Sequence, residues 1–438
     1  MTSPALDMAA DQADGQVRPL VPLRRNLQFQ TLWVGSVTSS LGLAVGDVAY
    51  PLAILGLTGS PGRAGLFAAL QAIGMLVAGL PAGQLADKRD RRTIVIAAEA
   101  GSALVTGIVA AGLILSWVSL PMLLIAAVLL GAGQAIAGAA RLPLVRSVVA
   151  PEQLTTALVQ DEIRVNGATL AGPPLAGVLY AIRALGHAVP FLFTAGSFVA
   201  SLVSAVLMKA MPGGAAAPPQ APAEAEQSGT AEESGTAASG GMLTGLRTIW
   251  SHPVLRAAMT LIMLVNTVGI GLDLAIIVLL RHQHVQSGVI GLVLGAGAVG
   301  GLAGAPLVKQ LHRLRPGVLL ISVCFVASAM IGLMALPFGP WWVAALTFFA
   351  MLGVPSIRVL VDVLVFRQTP DAERGRVIAA VMVLIGLGMP VGVFFTGMLL
   401  QYLSASAALL VLAGVLTAAV AIFGTRRELV RAQWPQQG

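Results

Sequence analysis

Two aspartates raise the first chemical question. Asp47 and Asp273 each stand inside a long apolar run. A carboxylate there is costly to ionise unless it is paired, solvated or protonated. Such a group can take up and release a proton or contact a polar ligand. Its plain alternative is a structural hydrogen bond, or a head group reaching the membrane interface. Asn266 lies seven residues before Asp273, two helical turns away on the same face. A second set of residues mixes signs. Arg358 and Asp362 are four apart, so on a helix they share a face and can pair. Arg141 stands inside another apolar run, and Asp161, Glu162, Arg164 and Asn166 crowd the start of a third. Glu99 joins them from a fourth. These groups can contact a proton or a small molecule directly. They can equally form a salt-bridge network that holds two halves of the molecule together. The third set is Gly83-Gln-Leu-Ala-Asp87-Lys88-Arg89-Asp90-Arg91-Arg92, a tight run of charge in a chain that is only 10% charged.

The elements that must position these residues are apolar helices. The chain has 438 residues, 57% of them hydrophobic, and a mean hydropathy of +0.87. No water-soluble domain needs so much apolar surface. Twelve apolar runs are legible, at about 27–57, 63–86, 93–116, 121–148, 155–182, 188–209, 256–280, 287–308, 317–337, 341–366, 376–400 and 403–424. Each is long enough for a helix to cross a hydrocarbon core of roughly 30 Å. Continuous runs without dyad alternation favour helices over barrel strands. The fold class expected is therefore an all-α polytopic membrane protein. The net charge of +7 does not point to nucleic acid, because the basic residues punctuate the apolar runs instead of gathering on one polar domain. With the N-terminus inside, 19 of the 26 Lys and Arg fall on inner loops, tails and helix edges. Three fall outside: Arg63, Arg183 and Arg281. This asymmetry predicts that both termini are cytoplasmic. Residues 1–23 lack the short apolar core of a cleavable signal peptide.

The runs divide six and six. Residues 212–245 are rich in Gly, Ala, Pro, Ser and Glu and read as a disordered cytoplasmic linker. The segments expected are a tail at 1–25, bundles at 26–211 and 246–424, the linker between them, and a tail at 425–438. The halves repeat at an offset of 226 residues. Asp47 falls on Asp273, Gly65 on Gly291, Leu66 on Leu292 and Gly74 on Gly300. Two similar six-helix halves suit a protein that opens alternately to either side of a membrane.

Several motifs carry a family resemblance. Gly83-x-x-Ala86-Asp87-Lys88-x-x-Arg91-Arg92 resembles the loop 2–3 signature of the major facilitator superfamily, with Asp90 where that pattern has Gly. Gly172-Pro173-Pro-Leu-Ala176-Gly177 is similar to a motif of proton-driven antiporters, with Ala176 at one of its glycine positions. Residues 245–256 and 367–377, with 52–60 and 80–92, resemble the branch that includes the enterobactin exporter and the macrolide-efflux proteins. The resemblance implies twelve transmembrane helices in two pseudo-symmetric six-helix bundles, in the inner membrane. It implies proton-coupled efflux of a small amphipathic molecule, such as a drug, macrolide or siderophore, by a monomer. Gly83, Asp87, Lys88, Arg91 and Arg92 would form a conformational latch, with Asp87 near the inner end of span eleven when the protein faces outward. Gly172, Pro173 and Gly177 would form a bending point. An importer or facilitator of the same fold, and a non-transporting sensor or scaffold, are the alternatives. No enzyme chemistry is legible, since there is no P-loop, H-E-x-x-H or G-x-S-x-G. Gly295-Ala-Gly297-Ala-Val-Gly300 follows no strand, and His282-Gln-His284 has no Cys or acid beside it. The expected energy source is a proton gradient, with no cofactor and no metal.

Overall fold

The computed structural model describes residues 22–182, 184–208, 246–251, 253–311, 315–357, 359–360 and 371–424. Twelve long helices run through them. The first six are α1 (Leu27–Thr58), α2 (Pro61–Lys88), α3 (Arg91–Ile114), α4 (Leu120–Val148), α5 (Leu154–Ala181) and α6 (Val189–Leu207). The second six are α7 (Pro253–His282), α8 (Ser287–Gly304), α9 (Pro316–Leu333), α10 (Pro340–Met351), α11 (Asp371–Tyr402) and α12 (Ala405–Gly424). Eleven helical segments are long and apolar enough to cross a membrane. The helix left out is α5, whose first turns carry Asp161, Glu162 and Arg164. The expected tenth run at 341–366 is not one continuous helix. It breaks into turns at Leu352–Gly353, where Pro355 has no N–H to give to the Met351 carbonyl four residues back and its ring crowds that carbonyl. The expected linker and both tails fall almost wholly outside the described residues.

Tight turns reverse the chain between helices. Gly59 ends α1 in the left-handed conformation, at φ 63°, and Ser60 then caps α2 by accepting from Arg63 N, with Pro61 in the first helical position. Asp90 caps α3. The loops after α1, α3, α5, α7, α9 and α11 thus share one side of the molecule, the far face. The opposite side carries Lys88, Arg89, Arg91, Arg92 and Arg315 and is the basic face.

Apolar packing differs between these two halves. Toward the far face a single core runs through both six-helix sets, from Val45–Ile54 of α1 to Val268–Leu280 of α7 and Ala405–Leu416 of α12. Toward the basic face it splits. One core holds Phe29, Leu32, Ile94, Val95 and Leu144 of the first set. A separate one holds Leu255–Ile262, Leu319, Leu320 and Val420 of the second. Among the described residues the two halves share one core toward the far face and have separate cores toward the basic face.

Glycines make that closure possible. The halves meet where α2 packs on α11 and α5 on α8. A Cβ at Gly65 would lie 2.8 Å from Gly397 Cα, and one at Gly291 would lie 2.2 Å from the Pro173 carbonyl. Gly79 and Gly83, farther along α2 toward the basic face, meet nothing within 4 Å. The repeated glycines thus do the same work twice. Gly65 and Gly291 each bring a helix against the other half, while Gly74 and Gly300 lie against the backbones of Val128 and Phe348 within their own halves.

Candidate functional site

Asp47 and Asp273 stand near the middle of the bilayer span. Asp47 is eleven residues from the far end of α1, a depth of about 16 Å at 1.5 Å per residue. Both residues are exposed, although Val45, Gly46, Val48 and Ala49 around the first and Gly271, Leu272, Leu274 and Ala275 around the second are buried. Since each carboxylate also acts on the other, both face the space between the two halves. The described residues close over that space at the far face and form separate cores toward the basic face. The two carboxylates are close enough to act on one another electrostatically, and Gln71 of α2 lies beside Asp47. Matching positions of the repeat thus converge from α1 and α7. The remaining member of that face, Asn266, donates to the Ile385 carbonyl at 3.3 Å and braces α7 on α11.

Among the described residues, the mixed-sign groups do not join the halves. Among the described residues the network lies inside the first six helices. Glu99 of α3 is 2% exposed, pairs with Arg141 of α4, and accepts a hydrogen bond from Ser39 of α1 at 3.0 Å. Arg141 also donates to Ser39 at 2.8 Å. Arg164 of α5 pairs with Asp161 at 2.7 Å and donates to Ser40 and to the Ser36 carbonyl of α1. Toward the basic face the described cores of the two halves are separate, and each of these charges has its partner within its own bundle. Glu162 points out of the network and accepts from Asn166 at 3.2 Å. Arg358 and Asp362 lie outside the described residues. Ser36, Ser39 and Ser40 were not legible as partners. The signal was a cluster of small hydroxyls in an otherwise apolar helix.

The charged run after α2 divides its labour. Asp87 and Lys88 are exposed, and neither has an ion pair among the described residues. Arg92 instead donates to the Ala205 and Val206 carbonyls at 2.8 and 2.6 Å, capping the C-terminal end of α6. The irregular Asp90 accepts from Thr93 N at 3.1 Å and Thr93 Oγ1 at 2.8 Å. Partial burial would raise its pKa, but the hydrogen bonds from Thr93 and the backbone, with the Arg92 charge, outweigh that and hold the carboxyl below its ordinary value.

The Gly172–Gly177 stretch lies against both halves. A Cβ at Gly172 would strike Ala44 of α1 at 2.3 Å, and one at Gly177 would lie 2.4 Å from the Ser287 carbonyl of α8. Elsewhere at the far face, Gln401 of α11 accepts from Ser60 Oγ at 2.6 Å and from Gly62 N at 3.2 Å. Arg281 of α7 and Tyr180 of α5 both donate to the Leu52 carbonyl of α1, at 2.8 and 3.1 Å. Sequence reasoning gave Gln401, Tyr180 and Arg281 no role.

Comparison with known proteins agrees with this architecture. The family model described as Major Facilitator Superfamily matches residues 32–365. The chain is 27% identical over 365 residues to the enterobactin exporter EntS of Citrobacter koseri, covering 81% of each. Among solved structures, the nucleoside transporter NupG superposes with a TM-score of 0.74 at 11% identity, over 93% of this chain and all of that one. A bacterial homologue of the human lysosomal transporter Spinster superposes with a TM-score of 0.68 at 14% identity, over 95% of this chain and 99% of that one.

Proposed function

The chain belongs to the Major Facilitator Superfamily, and on that premise we propose that it exports a small amphipathic molecule from the cytoplasm in exchange for protons. It is a multi-pass membrane transporter and not an enzyme. The observation that carries the coupling is the facing pair Asp47 and Asp273, one from each half, near the middle of a span. A carboxylate so placed is discharged most cheaply by a proton, and two facing each other disfavour the doubly charged state. Proton uptake from the far side, with release to the basic side, would alternate with substrate binding. The excess of Lys and Arg puts the basic face and both termini in the cytoplasm of an inner membrane. The space between the halves then opens to the cytoplasm, where an exported molecule is collected.

Energetics allow this exchange. One charge crossing 100 mV is worth about 2.3 kcal/mol, enough for roughly a fifty-fold substrate gradient at 1.4 kcal/mol per tenfold. The likeness to an enterobactin exporter supports putting siderophores first among candidate substrates, ahead of macrolides and other drugs. The glycine contacts supply the moving part. Two bundles held by backbone-to-backbone contact at α2–α11 and α5–α8 can rock apart with few side chains to repack. The exposed Asp87 and Lys88 are then free to latch when the basic face closes. The chain acts as a monomer.

Everted membrane vesicles test the reading. A siderophore or macrolide should accumulate inside them when a proton gradient is imposed, and a protonophore should abolish that accumulation. Accumulation only in right-side-out vesicles would make the protein an importer. Transport indifferent to the protonophore would remove the proton coupling.

A further inference from the structure

The far face holds a pocket of about 770 Å³, beyond the seal and separate from the central cavity. It lies between the halves, lined by α1, α5, the turn after α5, and the junction of α7 and α8. Among the described residues its lining holds one fixed charge, Arg281; His187 and His284 add imidazoles, and the adjoining hollow adds His282. No carboxylate answers them: along the chain the acids nearest to this end of the helices are Asp47 and Asp273, far below. The rest of the wall is apolar and aromatic, with Leu57, Leu113 and Tyr180, whose ring stacks on His187 at 4.8 Å between centroids. The first turn of α8 also borders it through Gln286 and Ser287, and no side chain caps that helix.

Both lining histidines occupy left-handed backbone, His187 at φ 65° and His284 at φ 57°. His284 follows the end of α7, where its N–H donates to the Arg281 carbonyl and Val285 N donates to the Leu280 carbonyl. Glycine fits that position at least cost. A β-substituted residue held there sits against its backbone preference, as residues at ligand sites often do.

We propose that this pocket binds an amphipathic organic anion, its carboxylate or phenolate held by Arg281 and His284 and its apolar body against Leu57, Leu113 and the Tyr180 ring, which His187 holds in place by stacking on it and by bonding through Nδ1 to the Tyr180 carbonyl. The volume suits a small organic ligand. A guanidinium and an imidazole N–H above an apolar wall select an anion carrying a hydrophobic body over a hydrated inorganic one. Arg281 also ties α7 to the Leu52 carbonyl of α1. An anion that draws its guanidinium away loosens a far-face tie, so occupancy favours opening on that side. The site stands whether the transporter exports or imports.

The test uses the purified full-length protein in nanodiscs, with 2-naphthoate as probe and neutral 2-naphthamide as its near-isostere, by calorimetric titration. Expected is 2-naphthoate binding at least ten-fold tighter than 2-naphthamide, weakened about ten-fold or more in Arg281→Gln and three-fold or more in His284→Gln. Sulfate should not compete. Equal binding of the acid and the amide overturns the proposal, as does an unchanged naphthoate affinity in both variants. Displacement by sulfate reduces the site to a simple anion hollow and overturns the amphipathic class. His284 is exposed in a turn, so its variant keeps the test decisive if Arg281→Gln does not fold.

Discussion

Gly291→Ala bears most directly on the mechanism. The added Cβ would stand 2.2 Å from the Pro173 carbonyl and 3.1 Å from Gly177 Cα. Neither is the flexible end of a side chain, so α8 and α5 must part. Overpacking of this kind costs about 1–3 kcal/mol. The cost falls only on the conformation with the far face closed. Alanine's advantage over glycine in a helix interior, about 1 kcal/mol, applies to both conformations and cancels from their balance. The far-open population should therefore rise roughly 5- to 150-fold relative to the far-closed one. Spin labels at Ser119 and Tyr402, exposed at the far face on opposite halves, read this by pulsed dipolar spectroscopy. A longer-distance population should grow in Gly291→Ala and stay absent in Gly79→Ala, whose Cβ would meet nothing within 4 Å. Identical distance distributions in the wild type and Gly291→Ala would refute the claim that close backbone contact at α5–α8 sets the balance.

Three further outcomes follow from the same geometry. Asp47→Asn and Asp273→Asn should each abolish substrate-driven proton movement in proteoliposomes carrying a trapped pH dye. Their fold should hold, because Asn is nearly isosteric with Asp and keeps a polar head group at each position. Glu99→Gln should lower stability by about 3–5 kcal/mol, read by thermal unfolding, because it strands the Arg141 charge in the interior. The double change Glu99→Leu, Arg141→Leu should recover most of that loss. Asp90→Ala should cost about 1 kcal/mol and Asp90→Gly only a few tenths, since glycine tolerates the cap position. Because folding lowers the Asp90 pKa, its cap is complete at neutral pH and fades only as pH falls below about 4, toward the lowered folded-state value. Asp90→Asn should remove that acid-range dependence while keeping the cap.

The helices were legible because a bilayer imposes its demand locally. Every residue of a span must be apolar or excused, so run length and loop charge report the helix count without reference to any partner. The repeat was legible for the same reason, and it paired Asp47 with Asp273 before any geometry was known. Asp90 also acts locally, as its short side chain at a turn suggested. Partners distant in sequence were not legible. Nothing along the chain says that Arg92 caps α6, that Glu99 faces Arg141, or that Gln401 reaches Ser60. Those pairings depend on helix rotation and crossing, set by packing between elements up to 341 residues apart. The sequence could equally place the mixed charges between the halves. Among the described residues, tertiary structure pairs Glu99 with Arg141 and Asp161 with Arg164 inside the first half. Which face is closed is likewise a property of contact: Gly65, Gly291 and Gly397 are ordinary glycines in the sequence, and they become a seal only where two backbones meet.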